Sequence, residues 1–441
     1  MKFNITRVGN DGEGIAYYKN KPVFIYYAYK NEIVEGDLFT NKRDSYEATI
    51  QNIIKPSKFR IIEKCPYYGK CGGCNLMHIN YQEALNYKKE TVSFLFNNKL
   101  KEETNKTIIN NTHKSDEIFN YRNKINVPVK LINGKNAIGL FKRGSNDFLQ
   151  INECITQNNN LNILANQVLL AMNKFLINAY DSKTNTGSIV NLSIRTNLEG
   201  KMQLTFVLKN NKNLDEISGY LMKNNKNLVS VYESFVPNYK TNRDMFKGKL
   251  KHIKGHLKLE MKISNFKFFL TPNSFFQLNA NQAVKLYELV IKKANFKKSD
   301  VILDAYSGVG TISTFISSHV KKVIAVESIK DATLAHIESN KINNILNVKP
   351  ITGDFVKVST YLKEKFDVMI FDPPRLGLGK EIINYILKEK PKKIIYVSCG
   401  MQSLVNDLKE LALLYDIIST DPLDMFPQTS HIESVNVLVL K

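Results

Sequence analysis

Val301-Ile302-Leu303-Asp304-Ala305-Tyr306-Ser307-Gly308-Val309-Gly310-Thr311 is a short apolar run that ends in an acid and gives way to a glycine turn. Such a run is a buried strand feeding a helix, the opening unit of an α/β sheet. Outward from it the same rhythm repeats. Lys322-Val323-Ile324-Ala325-Val326-Glu327 is a second strand ending in an acid, and Gly353-Asp354 closes a third unit. Phe366 to Pro374, Lys392 to Gly400 and Val435 to Leu440 supply further strands at regular intervals. This alternation predicts a doubly wound, Rossmann-like sheet, in which ligands bind at the carboxyl ends of the strands.

The turn at Gly308 and Gly310 and the acid Glu327, roughly ~20 residues on, match the way such folds hold a ribose. No GxxxxGK[ST] is present and the turn is not GxGxxG. That favours S-adenosylmethionine over a dinucleotide. Cys399, at the end of Lys392-Lys393-Ile394-Ile395-Tyr396-Val397-Ser398, would emerge where ligands bind. A thiol there is a candidate nucleophile, although free cysteine is ordinarily a small packed hydrophobe. Asp372-Pro373-Pro374-Arg375 lacks the aromatic that follows this turn in amino-group methyltransferases, and lacks the loop cysteine of RNA cytosine-C5 enzymes.

A chain of 441 residues with 43% hydrophobic content has room for several domains. The net charge of +21, with a pI near 9.4, points to a polyanionic partner, nucleic acid first. Lysine and asparagine bias could also raise that charge, so it supports the reading without carrying it. The start, Met1-Lys2-Phe3-Asn4-Ile5-Thr6-Arg7, is not a signal peptide, and no apolar run spans a bilayer. A cytoplasmic protein with no membrane partner is expected.

Residues 1–57 alternate β-rich runs with glycine turns and are expected to form a small barrel. Asp11-Gly12-Glu13-Gly14-Ile15-Ala16 and Val34-Glu35-Gly36-Asp37 resemble the RNA-binding TRAM barrel, an OB-like module. Its tyrosines, among them Tyr17, Tyr26 and Tyr29, suit single-stranded RNA or fill the barrel. Residues 58–265 are expected to form an α+β domain, and residues 266–441 the α/β domain. The middle segment opens with Cys65, Cys71 and Cys74, spaced C-x5-C-x2-C, and Cys154 is the next cysteine along. In a reducing compartment these are metal ligands before they are disulfides, and sulfur-only ligation suits zinc or an iron–sulfur cluster alike.

Along nearly its whole length the chain resembles the RNA uracil-C5 methyltransferases. The resemblance rests on the TRAM-like start, the cysteine set, Tyr121-Arg122-Asn123-Lys124 and Ser274-Phe275-Phe276-Gln277-Leu278-Asn279. It continues through the Leu303 to Thr311 turn, Asp372 to Arg375, Ser398-Cys399 and Pro427-Gln428-Thr429-Ser430-His431-Ile432-Glu433. It implies a methyl donor against Gln277, Tyr306, Glu327, Asp354 and Asp372, Cys399 as the thiol that adds to C6, and Glu433 as the base. It also implies a [4Fe–4S] cluster, with zinc as the alternative, on Cys65, Cys71, Cys74 and Cys154. The implied substrate is a flipped or single-stranded uridine, first in 23S rRNA and second in the tRNA T-loop, and a monomer is expected. His431 is expected to shape its loop without titrating in the reaction. The family's Asn-Pro after Ser-Cys is replaced by Gly400-Met401, the departure that leaves room for a non-catalytic RNA-binding or assembly factor.

Overall fold

The computed structural model describes residues 1–41, 45–100, 106–241 and 244–441. Three principal sheets follow one another along the chain. The first has six strands, in the order Lys2–Asn4, Ile33–Asn41, Ser45–Lys55, Lys21–Ile25, Gly14–Tyr18 and Arg7–Val8. Its two edge strands are halves of one continuous segment, residues 2–8, so the sheet closes on itself as a barrel. Phe3, Ile5, Val23, Ile25 and Val34 fill it, whereas Tyr17 is exposed.

The second sheet has seven strands, and helices Asn159–Lys174 and Asp215–Asn224 bury Leu161, Leu164, Val168, Ile217 and Leu221 in the same core as its strands. Strands Ile189–Thr196 and Met202–Leu208 are buried at every residue, apolar on the helix-covered face and polar at Asn191, Ser193, Arg195, Gln203 and Thr205. The hairpin Leu259–Ile263 and Phe266–Leu270 packs with the third sheet through Met261, Phe268 and Leu270.

The third sheet runs Val348–Thr352, Lys322–Glu327, Val301–Ala305, Val368–Phe371, Lys393–Ser398, Glu433–Leu440, Tyr415–Leu423 and Ile108–Ile109. The first five strands are parallel. The last strand of the chain is inserted antiparallel beside Lys393–Ser398. Strand order reverses between Val301–Ala305 and Val368–Phe371, the switch point at which such sheets open a ligand crevice. Apolar cores cover both faces. The helix Tyr81–Lys99, N-capped by Asn80, places Val92, Leu95 and Phe96 in one of them, and Ile108–Ile109 extends the sheet. The segment between barrel and second sheet is thus built into the third. Among the described residues no helix is long and apolar enough to cross a membrane.

Candidate functional site

The antiparallel insertion of the last strand makes the site. Because Ser398 pairs with Ser434, the next residue on one strand, Cys399, lies beside the first residue of the other, Glu433. Both line a cavity of about 480 Å³ at the switch point, with Gln277, Tyr306, Gly308, Glu327, Asp372 and Arg375 also on its wall. Residues far apart in the chain therefore meet because strand ends meet.

The floor of the cavity is the glycine turn. Tyr306 has φ 64°, a left-handed conformation that a bulky residue keeps only when its surroundings enforce it. The Glu327 carboxylate fastens the turn, accepting the Gly308 N–H at 2.9 Å and the Ile329 N–H at 2.8 Å. It keeps lone pairs for a diol. Gly310 caps the helix Thr311–Ile316 and does not line the cavity; at φ 82° it backs onto His336, whose ring would lie 2.1 Å from an added Cβ. Its role is to seat the turn. Asp354 is exposed outside the cavity lining and caps the helix Phe355–Ser359. Its charge helps raise the Tyr306 hydroxyl, after burial.

Negative charge is concentrated at the reacting end. Burial, then the nearby Asp304, raises the Asp372 carboxyl to about 7. Burial and Asp372 together raise Glu433 well above the usual carboxylate range, against the opposing pull of Arg375. Cys399 is pushed up to about 11 by burial, Glu433 and Asp372, again opposed by Arg375. A carboxyl group beside a thiol, with a guanidinium facing both, can accept a proton once the thiol has reacted. Gly400 has an ordinary φ of −125°, yet a Cβ there would lie 2.6 Å from the Arg375 carbonyl. In this chain the glycine lets the Arg375 loop approach the thiol. His431 is held neutral by burial and by three cations, with its pKa lowered to about 4.

A second cavity, of about 460 Å³, adjoins the first and shares Ser274, Phe275 and Phe276 with it. Cys65, Cys71, Cys74 and Cys154 all line it, with Arg122. The four thiols are free, but among the described residues no group of three or more His, Cys, Asp or Glu is placed to hold a metal ion. The four cysteines singled out from the sequence are thus gathered around one cavity, and burial raises the thiols of Cys65, Cys71 and Cys74, the last to about 12. Asn162 holds the Cys154 backbone on both its N–H and its carbonyl, and the Gly73 N–H donates to Cys71 Sγ at 3.3 Å. The buried Arg122 Nε has no hydrogen-bond partner.

Sequence reading missed two groups. Asp304, quoted there only as a strand end, is fully buried beside Asp372 with its carboxyl raised to about 7 by burial. Lys88 is fully buried in an ion pair with Asp424. Its spacing from Leu85, Val92 and Leu95 already put it on the apolar face of its helix, a signal that went unused.

Comparisons with known proteins agree with this geometry. The family model described as tRNA (uracil-5-)-methyltransferase matches residues 80–441. A Clostridium tetani protein named an uncharacterized RNA methyltransferase is 33% identical over 98% of this chain and 94% of its own length. A Lactobacillus johnsonii protein of the same name is 34% identical over 99% and 98%. Among solved structures, the Pyrococcus abyssi tRNA (uracil-54, C5)-methyltransferase in complex with S-adenosyl-L-homocysteine superposes with a TM-score of 0.80. It covers 100% of this chain and 99% of its own, at 24% identity.

Proposed function

The chain belongs to the tRNA (uracil-5-)-methyltransferase family and is an RNA methyltransferase, and from that premise we propose that it methylates C5 of a uridine in RNA, first of all in 23S rRNA. The observation that carries the reading is the Ser398 to Ser434 register, which sets Cys399 beside Glu433 on one cavity wall.

Uracil C5 is a poor nucleophile. The Cys399 thiolate adds to C6, and the C5–C6 π electrons shift towards the C4 carbonyl, leaving C5 electron-rich. S-adenosylmethionine, when bound, supplies an electrophilic sulfonium methyl group. Glu327, Tyr306, Gly308, Gln277 and Asp372 are the residues that would hold it: a turn fastened by an acid for the ribose, with a carboxylate on the opposite wall. Asp354 is the group for the base, and Gly310 shapes the turn. Once C5 carries the methyl, Glu433 removes its proton, the C5–C6 double bond re-forms and the thiolate of Cys399 leaves. Arg375 steadies both negative groups as each forms. A stacked base cannot present C6, so the uridine must be flipped or single-stranded, with basic residues holding the flanking phosphates.

Cys65, Cys71, Cys74 and Cys154 would hold a [4Fe–4S] cluster in preference to zinc. The four cysteines line one cavity, as a sulfur-ligated centre requires, and the resemblance to the RNA uracil-C5 methyltransferases is what puts the cluster ahead of zinc. The glycine N–H on Cys71 and the unpaired Nε–H of Arg122 suit a cluster of net negative charge. Such a cluster would supply structure, since methyl transfer moves no electrons to a metal. The tRNA T-loop uridine is the second reading, favoured by the tRNA uracil-54 specificity of the Pyrococcus abyssi protein.

The test uses RNA carrying tritium at uracil C5. Stoichiometric tritium release with methyl incorporation into a 23S rRNA fragment, and not into tRNA, is expected. Methyl incorporation without tritium release would place the methyl elsewhere, and release from tRNA alone would select the second reading.

A further inference from the structure

The loop that leads into Glu433 is held from outside the sheet that carries it. The Asn75 and Leu76 N–H groups both donate to the Gln428 carbonyl at 3.1 Å. Asn75 Oδ1 accepts the Ser430 N–H at 2.8 Å, and Asn75 Nδ2 donates to Ser430 Oγ at 2.9 Å. Gln428 has φ 71°, a conformation a non-glycine residue keeps only when its neighbours fix it. Farther along, the Tyr121 hydroxyl donates to the Pro427 carbonyl at 3.0 Å, and Lys88 donates to the His431 carbonyl at 2.8 Å. Asn75 follows Cys74 directly and grips Ser430, three residues before Glu433. The ring of bonds thus runs from the cysteine loop to the catalytic strand without passing through the third sheet.

We propose that Asn75 is a positioning residue, through which the cysteine segment holds the Gln428–Ser430 turn and so aims the Glu433 carboxylate at C5 of the target base. The proposal rests on the reading of Glu433 as the base. Glu433 lines the cavity beside Asp372 and Arg375 at the very start of its strand, so the turn that precedes it sets the direction of its carboxyl group. Asn75 is absent from the lining of the donor cavity. Loss of Asn75 therefore leaves thiol addition and methyl transfer intact and slows removal of the C5 proton. Until that proton leaves, no electron pair is available to re-form C5–C6 and break the bond from Cys399 Sγ to C6. The methylated RNA stays attached to the protein.

The experiment mixes unmodified substrate RNA and methyl donor with wild type, Asn75→Ala, Asn75→Asp and Glu433→Gln, and separates covalent protein–RNA complex on denaturing gels. Asn75→Ala is expected to turn over ~10–100-fold more slowly, with several-fold more covalent complex than wild type and donor affinity within ~2-fold. Asn75→Asp keeps the acceptor for the Ser430 N–H and should recover most of the rate. Glu433→Gln should trap the most complex. Asn75→Ala turning over like wild type, or slowly without excess complex while Glu433→Gln traps it, overturns the proposal and leaves the base intact. If Glu433→Gln traps nothing, the reading of the base fails and the proposal with it. Should Asn75→Ala lose its melting transition, Ser430→Ala carries the same test, with excess complex supporting the proposal and none overturning it.

Discussion

The two neighbouring cavities are nearly equal in volume, about 480 and 460 Å³, and share the Ser274 to Phe276 wall, yet they are built on opposite principles. The first is preorganised. Strand register, a strained Tyr306 and a carboxylate-fastened turn hold its groups in place. The second gathers four thiols, from two stretches of chain, around one space. Reaction chemistry needs rigid placement of groups before substrate arrives, whereas a thiolate site is completed by its metal. A cysteine in the first cavity and a cysteine in the second should therefore fail in different ways when replaced.

The largest contrast lies there. Cys399→Ser should lower methylation by ~10⁴-fold or more, since a nucleophile has no substitute, with donor affinity unchanged by equilibrium titration. With the proposed cluster in the second cavity, Cys74→Ser should abolish iron binding and visible absorbance, yet leave covalent capture of RNA detectable by mass spectrometry. Equal, complete loss of RNA capture in both would break the comparison.

Glu433→Gln comes next, with turnover lower by on the order of 10²–10⁴-fold and, by calorimetry, a higher melting temperature. The sign follows from burial. The folded pKa of Glu433 is raised, so the stability of its neutral form is present at low pH and lost as pH rises from ~4.3 through the folded value. The amide does not titrate, so its advantage in melting temperature should widen over that window.

Smaller is the pH dependence of covalent capture. With the thiol at about 11, single-turnover capture should rise up to ~10-fold per pH unit between ~7 and ~9. Arg375 pulls that value down, so Arg375→Gln should move the rise to higher pH in the same rapid-quench measurement.

The smallest effect is expected at Gly400. Gly400→Ala presses a methyl group against the Arg375 carbonyl and should destabilise the fold by about 1–3 kcal/mol and slow capture severalfold. Unchanged melting would show that the Arg375 loop yields.

Much of this was legible in the chain itself. The Val301 to Thr311 unit and the strands after it follow from apolar period and glycine placement, and the observed strand Val301–Ala305 falls on the predicted stretch. Cys399 and Glu433 could be singled out, but what joins them could not. Their proximity depends on antiparallel insertion of the last strand, a long-range pairing that no local pattern encodes. Gly310 and Asp354 illustrate the reverse. Motif position marked both as donor contacts, yet one works by leaving room for His336 and the other is exposed outside the cavity lining. The cysteine spacing singled out Cys65, Cys71, Cys74 and Cys154, and the structure gathers them around one cavity that no local pattern encodes. Asn75 belongs to no pattern, and helical spacing marks Lys88 as inward-facing without naming its partner; both partners lie more than three hundred residues away.

The central claim is that Cys399 attacks C6 and Glu433 removes the C5 proton, and RNA bearing 5-fluorouridine tests it most directly. Fluorine cannot leave as a cation, so the bond from Cys399 to C6 should persist after methyl transfer. Peptide mass spectrometry should then find one methylated fluorouridine attached at Cys399. Free methylated RNA with no covalent complex, or attachment at another residue, would contradict the account.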